Sequence, residues 1–452
     1  FPKLTDIPRL LRRAGGDSPL HILCRLFLVG VSVTEAEARR AFGPIDPARL
    51  IDAGIIERNG NEVRRTVRLC PHDGLLLICD VPTFAEDAVM GIGGSTLALA
   101  NAMIRTPVRT ALDLGTGCGI LALLAARHAE RVWATDTNPR ATAFAAFNAE
   151  LNGLDHVTCR TGSLFEPVAD RRFDSIVCSP PYVISPTSRL IYRDNPLRGD
   201  EFCRQLLLEA TSRLEENGFA QVLLNWPHYA GQDWRDRFTE LLAESGCDVW
   251  VLCTETKSVE DYAAMWMDES EYPSLDAYTA AYDRWMRYDD DEGIEGVSGG
   301  LATLRRRSKG ANWLRFDDAP EKMVGTAGKS IALGFNLHDF VLTAGDDHVF
   351  DTAFRLGAGV RMHQESAPAE GSWARERMEL RHVDGLPWMA NVDAYVAGLA
   401  AHCDGKRPLR DLTADLADAT GKSVAAIAGP VVEVVRTLVD RGFLVPSSLL
   451  DQ

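Results

Sequence analysis

Four short stretches carry residues whose types and order could do chemistry. In LDLGTGCGI, residues 112–120, a buried strand runs into a glycine-rich turn and then a helix. Gly115, Gly117 and Gly119, with Thr116 among them, let the backbone approach a ligand without a Cβ in the way. The spacing is GxGxG, with Ile120 where a dinucleotide fingerprint would place its third glycine. In VWATDTN, Asp136 closes the next strand, where a carboxylate can accept both hydroxyls of a ribose. Its bland alternative is a helix cap, because Asn138-Pro139 follows. In CRTGSLFEPV, Gly162 precedes Ser163 and Leu164, placed to flank the adenine of a bound nucleoside. In FDSIVCSPPYVISP, residues 173–186, a strand meets two prolines and a tyrosine. Pro180 and Pro181 have no N–H, and their fixed φ holds the carbonyls rigid.

Taken in this order, the stretches resemble the class I S-adenosylmethionine-dependent methyltransferases. Ser179-Pro180-Pro181-Tyr182 is similar to the (Asn/Asp/Ser)-Pro-Pro-(Tyr/Phe) motif of amino-group N-methyltransferases, which act on nucleobase amino groups or, in the HemK-like members, on glutamine side-chain amides. The resemblance covers roughly residues 89–310. It implies a Rossmann-like, seven-stranded α/β sheet and S-adenosyl-L-methionine as cofactor. It implies catalytic roles for Ser179, Pro180 and Tyr182. The cofactor set it implies is Thr96 (in GIGGSTLALANAM, 91–103), Asp113, Gly115, Thr116, Gly117, Gly119, Asp136, Thr137, Asn138, Gly162, Ser163 and Leu164. Asp113 would fix the loop or contact the methionine end; a purely structural hydrogen bond is the alternative. HemK-like enzymes usually carry Asn where this chain has Ser179, whereas the Ser form is similar to N4-cytosine methyltransferases.

A planar amide or aryl amine spreads its lone pair into the π system and is a poor nucleophile. The Ser179 hydroxyl and the Pro180 carbonyl can each accept a hydrogen bond from such an NH2, orienting the nitrogen as charge develops. Tyr182 offers a face for a planar substrate. The alternative for the corner is a strand-ending turn with a buried tyrosine. Trp226-Pro227-His228 ends a later strand at the same sheet edge, or belongs to the core.

The elements around these residues alternate strand and helix, as in a parallel sheet covered on both faces. TALDL, RVWATD, HVTCRTG, FDSIVCS, FAQVLLNW, CDVWVLCTET and GGLATLRRR read as strands; EFCRQLLLEATSRLEENG reads as one helix stopped by Gly218. Residues 1–78 read as a winged-helix-like module: HILCRLFLVG is a helix candidate, Thr34 and Glu37 form a capping box, and a hairpin turns at Asn59-Gly60-Asn61. Residues 79–318 are the methyltransferase core. Within it, residues 255–295 hold 13 acidic against 3 basic residues and seven aromatic ones. This is either a solvated insertion that buries its rings locally or a lid over the site. Residues 319–452 form an α/β or helical region with a winged-helix-like end, where LVDRGFL is similar to LIDAGII at 50–56.

Composition narrows the partners. The net charge of −16 weighs against an all-over nucleic-acid binder, although residues 1–75 carry 12 basic and 9 acidic residues. A protein or peptide amide as acceptor is favoured by the acidic balance, which repels polyphosphate. A nucleobase in RNA or DNA, flipped from any duplex, is favoured by Ser179 and the basic N-terminal module. A non-catalytic binding protein on the same fold, and an NAD-dependent oxidoreductase, are the competing classes; the intact motifs oppose the first, and the glycine spacing and Pro-Pro corner the second. Ten scattered cysteines without a CxxC pair suggest a reducing, cytoplasmic setting without structural zinc. No apolar run reaches membrane-spanning length, and the N-terminus, punctuated by proline and charge, does not read as a signal peptide. The oligomeric state is not legible.

Overall fold

Eight strands form the central sheet of the computed structural model. In chain order they are β1 (Val108–Leu114), β2 (Ala129–Asp136), β3 (Val157–Thr161), β4 (Phe173–Cys178), β5 (Leu214–Tyr229), β6 (Cys247–Ser258), β7 (Ile294–Arg306) and β8 (Leu314–Asp318). Their order across the sheet is β8-β6-β7-β5-β4-β1-β2-β3. Strands β1 to β5 pair in parallel, and β7 runs antiparallel between β5 and β6. The sheet therefore has one strand more than the seven expected, because LRFDD adds to the edge beyond β6. The description covers residues 4–449 except 82, 84, 189, 196, 321, 322, 324 and 326.

Helices cover the sheet: α1 (Gly94–Ala102), α2 (Ile120–Ala125), α3 (Pro139–Leu151), α4 (Glu201–Ser212) and α5 (Trp234–Leu242). The middle strands are buried on both faces, which is why they read as unbroken apolar runs rather than alternating ones. Helix α4 stops six residues before the expected glycine. The Arg213 carbonyl accepts the Phe173 N–H at 2.8 Å, and Leu214 pairs beside Phe173, so the chain joins the sheet at once. Gly218 is a close-approach point in the resulting bulge: a Cβ there would lie 2.9 Å from the carbonyl oxygens of Glu215 and Phe173.

The acidic stretch supplies the end of β6, two helices, α6 (Val259–Trp266) and α7 (Leu275–Glu292), and the start of β7. Its rings do not face solvent as a set. Tyr262 and Trp285 are buried in a cluster with Val183, Ile184 and Val297.

Contacts divide the chain into two compact units, Phe1–Leu99 with Thr106–Asp317, and Ala100–Arg105 with Asp318–Gln452. In the first, the N-terminal helices enclose Ile22, Leu26, Val33 and Ile56 beside a small three-stranded sheet. The capping box at Thr34 and Glu37 is formed. HILCRLFLVG is helical but changes from α to π geometry at Cys24. A hairpin, Val67–His72 with Leu75–Asp80, then docks on α3, where Asn148 and Asn152 each bond its backbone as donor and acceptor. The second unit mixes helices with two three-stranded sheets. The two similar heptapeptides end their helices alike: Gly54 and Gly442 take left-handed φ of 69° and 74° and bond back to Ile51 and Val439. Both follow the glycine-terminated helix stop.

Candidate functional site

The glycine turn is held from both sides by carboxylates. Asp113, fully buried at the end of β1, accepts the Thr116 hydroxyl at 2.6 Å and the Ala122 N–H at 2.9 Å through one oxygen. Burial pushes its carboxyl up to about 7, against the pull of those two donors, and the charge of Asp136 adds to the rise. Asp136 accepts the N–H of Gly117 through one oxygen and that of Asn138 through the other, both at 2.9 Å. It too is pushed upward by burial, with the backbone donors opposing. The helix cap is Asn138, whose Oδ1 accepts from Arg140, so Asp136 is left to face the loop.

The three glycines differ in what they do. Gly115 and Gly117 have φ of 74° and 53°, and a Cβ on either would enter open space. That space lies beside the half-buried Asp136 carboxylate. Gly119 instead lets two helices meet: a Cβ there would lie 3.0 Å from Ala145 on α3. Its smallness serves packing rather than ligand approach. Next to Asp136, Gly162 donates to the Asp136 carbonyl, and a Cβ on it would strike the Pro167 ring. Ser163 and Thr137 are exposed; Leu164 is half-buried at φ 45°, a left-handed conformation rare outside glycine.

Strand register brings these groups together. Leu114 pairs with Thr135 on one side and Cys178 on the other, and Asp136 pairs with Thr161. The glycine turn, Asp136, Gly162 and Ser179 thus leave adjacent strands at one edge, the carboxyl edge where open α/β sheets bind ligands. Gly115 and Ser179 are the next residues along neighbouring strands.

The corner after β4 is supported from far away in sequence. Pro180 is buried, and Ser179, Pro181 and Tyr182 are half-buried. Burial raises the Tyr182 phenol pKa, and Ser95 on α1 stands close enough to its hydroxyl to oppose that rise. The Tyr182 ring meets Trp266 edge-on at 6.1 Å. Two residues on, the Ile184 N–H donates to the Tyr262 hydroxyl at 3.0 Å, and Asn225 donates to the same oxygen at 2.7 Å. The loop from Val183 to Asp200 is tied to the acidic helices by Arg193 with Glu271, Arg198 with Glu292, and the Gly199 N–H with the Tyr288 hydroxyl. Both oxygens of Asp200 accept from one nitrogen of Arg237 on α5.

Sequence reasoning had not singled out Ser95, Asn225 or Tyr262. Tyr262 stood among seven aromatics of the acidic stretch with nothing to mark it. Thr96, which it did single out, lies next to Ser95 on α1. Trp226 is core, fully buried against Trp234 and Phe238. His228 bonds Ser298 at 2.6 Å, and burial, with Arg235 and Arg237 nearby, lowers its pKa.

Strand order 3-2-1-4-5-7-6, a glycine turn after the first strand and an acid after the second define the class: a class I S-adenosylmethionine-dependent methyltransferase domain. Residues 84–226 match the family described as a methyltransferase small domain. Residues 7–66 and 335–446 match two families, each described as a domain of unknown function. The chain is 46% identical over 77 residues to a release factor glutamine methyltransferase of Xylella fastidiosa, covering 17% of this chain and 28% of that protein. It is 37% identical over 126 residues to a ribosomal protein uL3 glutamine methyltransferase of Bradyrhizobium diazoefficiens, covering 25% and 40%. A release factor glutamine methyltransferase of Aquifex aeolicus is 30% identical over 163 residues, covering 34% and 53%. The chain thus spans between 28% and 53% of the length of these relatives. Within the class, this part of the chain is similar to glutamine methyltransferases of release factors and of ribosomal protein uL3.

The site fits the cofactor of that class. Open space above Gly115 and Gly117, bordered by a carboxylate that keeps unused lone pairs, suits a ribose with two hydroxyls.

Proposed function

We propose that this protein is an S-adenosylmethionine-dependent N-methyltransferase that acts on a planar NH2, the side-chain amide of a protein glutamine. The observation that carries this reading is the placement of Ser179 on the strand next to Gly115, with a rigid Pro-Pro corner between them and Tyr182. Similarity to glutamine methyltransferases of release factors and of ribosomal protein uL3 supports the acceptor class.

Asp136 and the glycine turn would hold the nucleoside, with Ser163 and Leu164 beside the base. The cofactor, when bound, supplies an electrophilic methyl group on a sulfonium. The Ser179 hydroxyl and the Pro180 carbonyl accept the two amide hydrogens and aim the nitrogen at the glycine turn. Tyr182, steadied by Ser95 and Trp266, closes one side of the acceptor space. The amide proton leaves after transfer, so no strong base is needed, and none of the roles falls to His228.

A nucleobase amine is the second reading, favoured by Ser in place of the usual HemK-like Asn. One experiment separates them: incubation of the purified chain with methyl-labelled cofactor and fractionated protein and RNA. Label recovered as methylglutamine supports the proposal. Label in RNA selects the second reading. A calorimetric titration with neither S-adenosylmethionine nor S-adenosylhomocysteine binding overturns both.

A further inference from the structure

All ten cysteines are free thiols, and most are buried singly. Two are not alone. Cys70 and Cys79 lie diagonally across the hairpin Val67–His72 and Leu75–Asp80, on the same face, with their sulfurs 3.6 Å apart. Closing that gap to a disulfide needs the sulfurs to approach by about 1.5 Å. Cys79 is 1% exposed. Cys70 is half-buried and lines an open groove of about 680 Å³ whose walls include Arg9, Arg13, Arg68 and Leu10. Cys70 borders this groove, whereas Cys79 is not among the residues that line it. Among the described residues, no group of three or more His, Cys, Asp or Glu is disposed to hold a metal ion, so the pair does not read as part of a metal site.

We infer that Cys70 and Cys79 form a thiol-oxidation site that takes a hydroperoxide as oxidant and closes to an intramolecular disulfide. Cys70 and Cys79 share a hydrogen bond that, with Arg68 and Arg65 nearby and a backbone donor at Ile92, draws the Cys70 pKa below the ordinary thiol value against the opposing effect of burial. Cys70 is then the nucleophilic thiolate, and Cys79, whose pKa the shared hydrogen bond and burial raise, keeps the proton. The Cys70 sulfur attacks one peroxide oxygen, the O–O bond breaks, and hydroxide leaves while the sulfur becomes a sulfenic acid. The Cys79 sulfur then attacks the Cys70 sulfur, the S–O bond breaks, and water departs with the Cys79 proton.

The pair lies against the segment that leads into α1. A Cβ on Gly91 would lie 2.7 Å from the Cys79 sulfur, so the chain before α1 rests directly on it. Four residues later Ser95 stands beside the Tyr182 hydroxyl. Drawing the two sulfurs together moves the surface on which Gly91 sits and shifts that anchor of the acceptor corner. This consequence rests on the methyltransferase reading; the chemistry of the pair does not.

The test uses the full chain treated with hydrogen peroxide, alkylated and mapped by mass spectrometry. The expected product is a Cys70–Cys79 linked peptide, lost on reduction with dithiothreitol. Cys79→Ser should halt the reaction at the sulfenic acid, giving a dimedone adduct on Cys70, and Cys70→Ser should give neither product. Two alkylated cysteines after peroxide treatment, or adducts at Cys24 in place of Cys70, would overturn the site. Methyl transfer by oxidised wild-type protein should fall at least three-fold and recover on reduction. An oxidised, disulfide-linked protein with unchanged transfer overturns the coupling while leaving the site, and a protein without methyltransferase activity fails the earlier reading while the peptide map still decides this one.

Discussion

The two halves of the site are built over very different chain distances. In the cofactor half, Thr116 reaches Asp113 three residues away, Asn138 reaches Asp136 two away, and Gly117 reaches Asp136 nineteen away. In the acceptor half, Ile184 and Asn225 meet Tyr262 across 78 and 37 residues, and Gly199 meets Tyr288 across 89. The first half is made by one βαβ unit folding on itself. The second exists only when α6 and α7 have packed against the loop after β4. On the proposed reading, a short-range cofactor half and a long-range acceptor half let one vary without disturbing the other.

The sharpest way to break that division is Ser179→Ala. Loss of one of two acceptors that aim the nitrogen should lower turnover about 100-fold, with the cofactor dissociation constant unchanged by calorimetry. Equal loss of both quantities would show that the halves are one. Asp136→Ala is the mirror experiment. Removing hydrogen bonds to a charged group, worth about 1.5–3 kcal/mol, should weaken cofactor binding roughly 10- to 100-fold. Turnover at saturating cofactor should stay within a few-fold.

Tyr262→Phe sharpens the comparison, because it removes only the hydroxyl that joins the acidic helices to the acceptor corner. It leaves the Ile184 N–H and an Asn225 N–H buried without their acceptor, a cost of about 1–3 kcal/mol. Acceptor KM should rise and turnover fall roughly ten-fold at most, with cofactor binding intact. An unchanged acceptor KM would reduce α6 to packing.

The smallest effect is a pH dependence to which the cofactor half contributes through Asp113, and α7 through the similarly raised Asp289. Asp113 has its pKa raised to about 7 from the ordinary 3.8, so between those values the folded chain holds a proton that the unfolded chain has lost. Stability therefore falls as pH rises through this window. Asp113→Asn, which cannot ionise, should flatten the decline, seen as a shift of about 2–4 °C in the melting midpoint at pH 8 relative to wild type. A wild-type profile that rises through the window, or an unchanged slope in the variant, would remove Asp113 as its source.

Most of the strand, glycine turn and Asp136 arrangement proposed to hold the cofactor was legible before the structure. Its signals are local: a strand, glycines whose positive φ no other residue adopts cheaply, and an acid at the next strand end. Even there, the spacing did not show that the missing Cβ of Gly119 makes room for Ala145. Strand boundaries were less legible. Glu201 to Gly218 reads as one helix because Leu214 continues the apolar spacing, yet pairing with Phe173 takes Leu214 into the sheet. The eighth strand, five residues long, carried no marker.

By itself the amino-acid sequence determined the order of strands and helices, the glycine turn, the Asp136 position and the rigid Ser-Pro-Pro-Tyr corner, because backbone conformation at these residues depends on side chains within a few positions. Only the tertiary structure decided which of seven aromatics in an acidic stretch would hold the acceptor corner, that Ser95 would reach Tyr182, and that Cys70 and Cys79 would lie sulfur to sulfur. Those choices depend on register and on packing between distant segments, and no spacing along the chain records them.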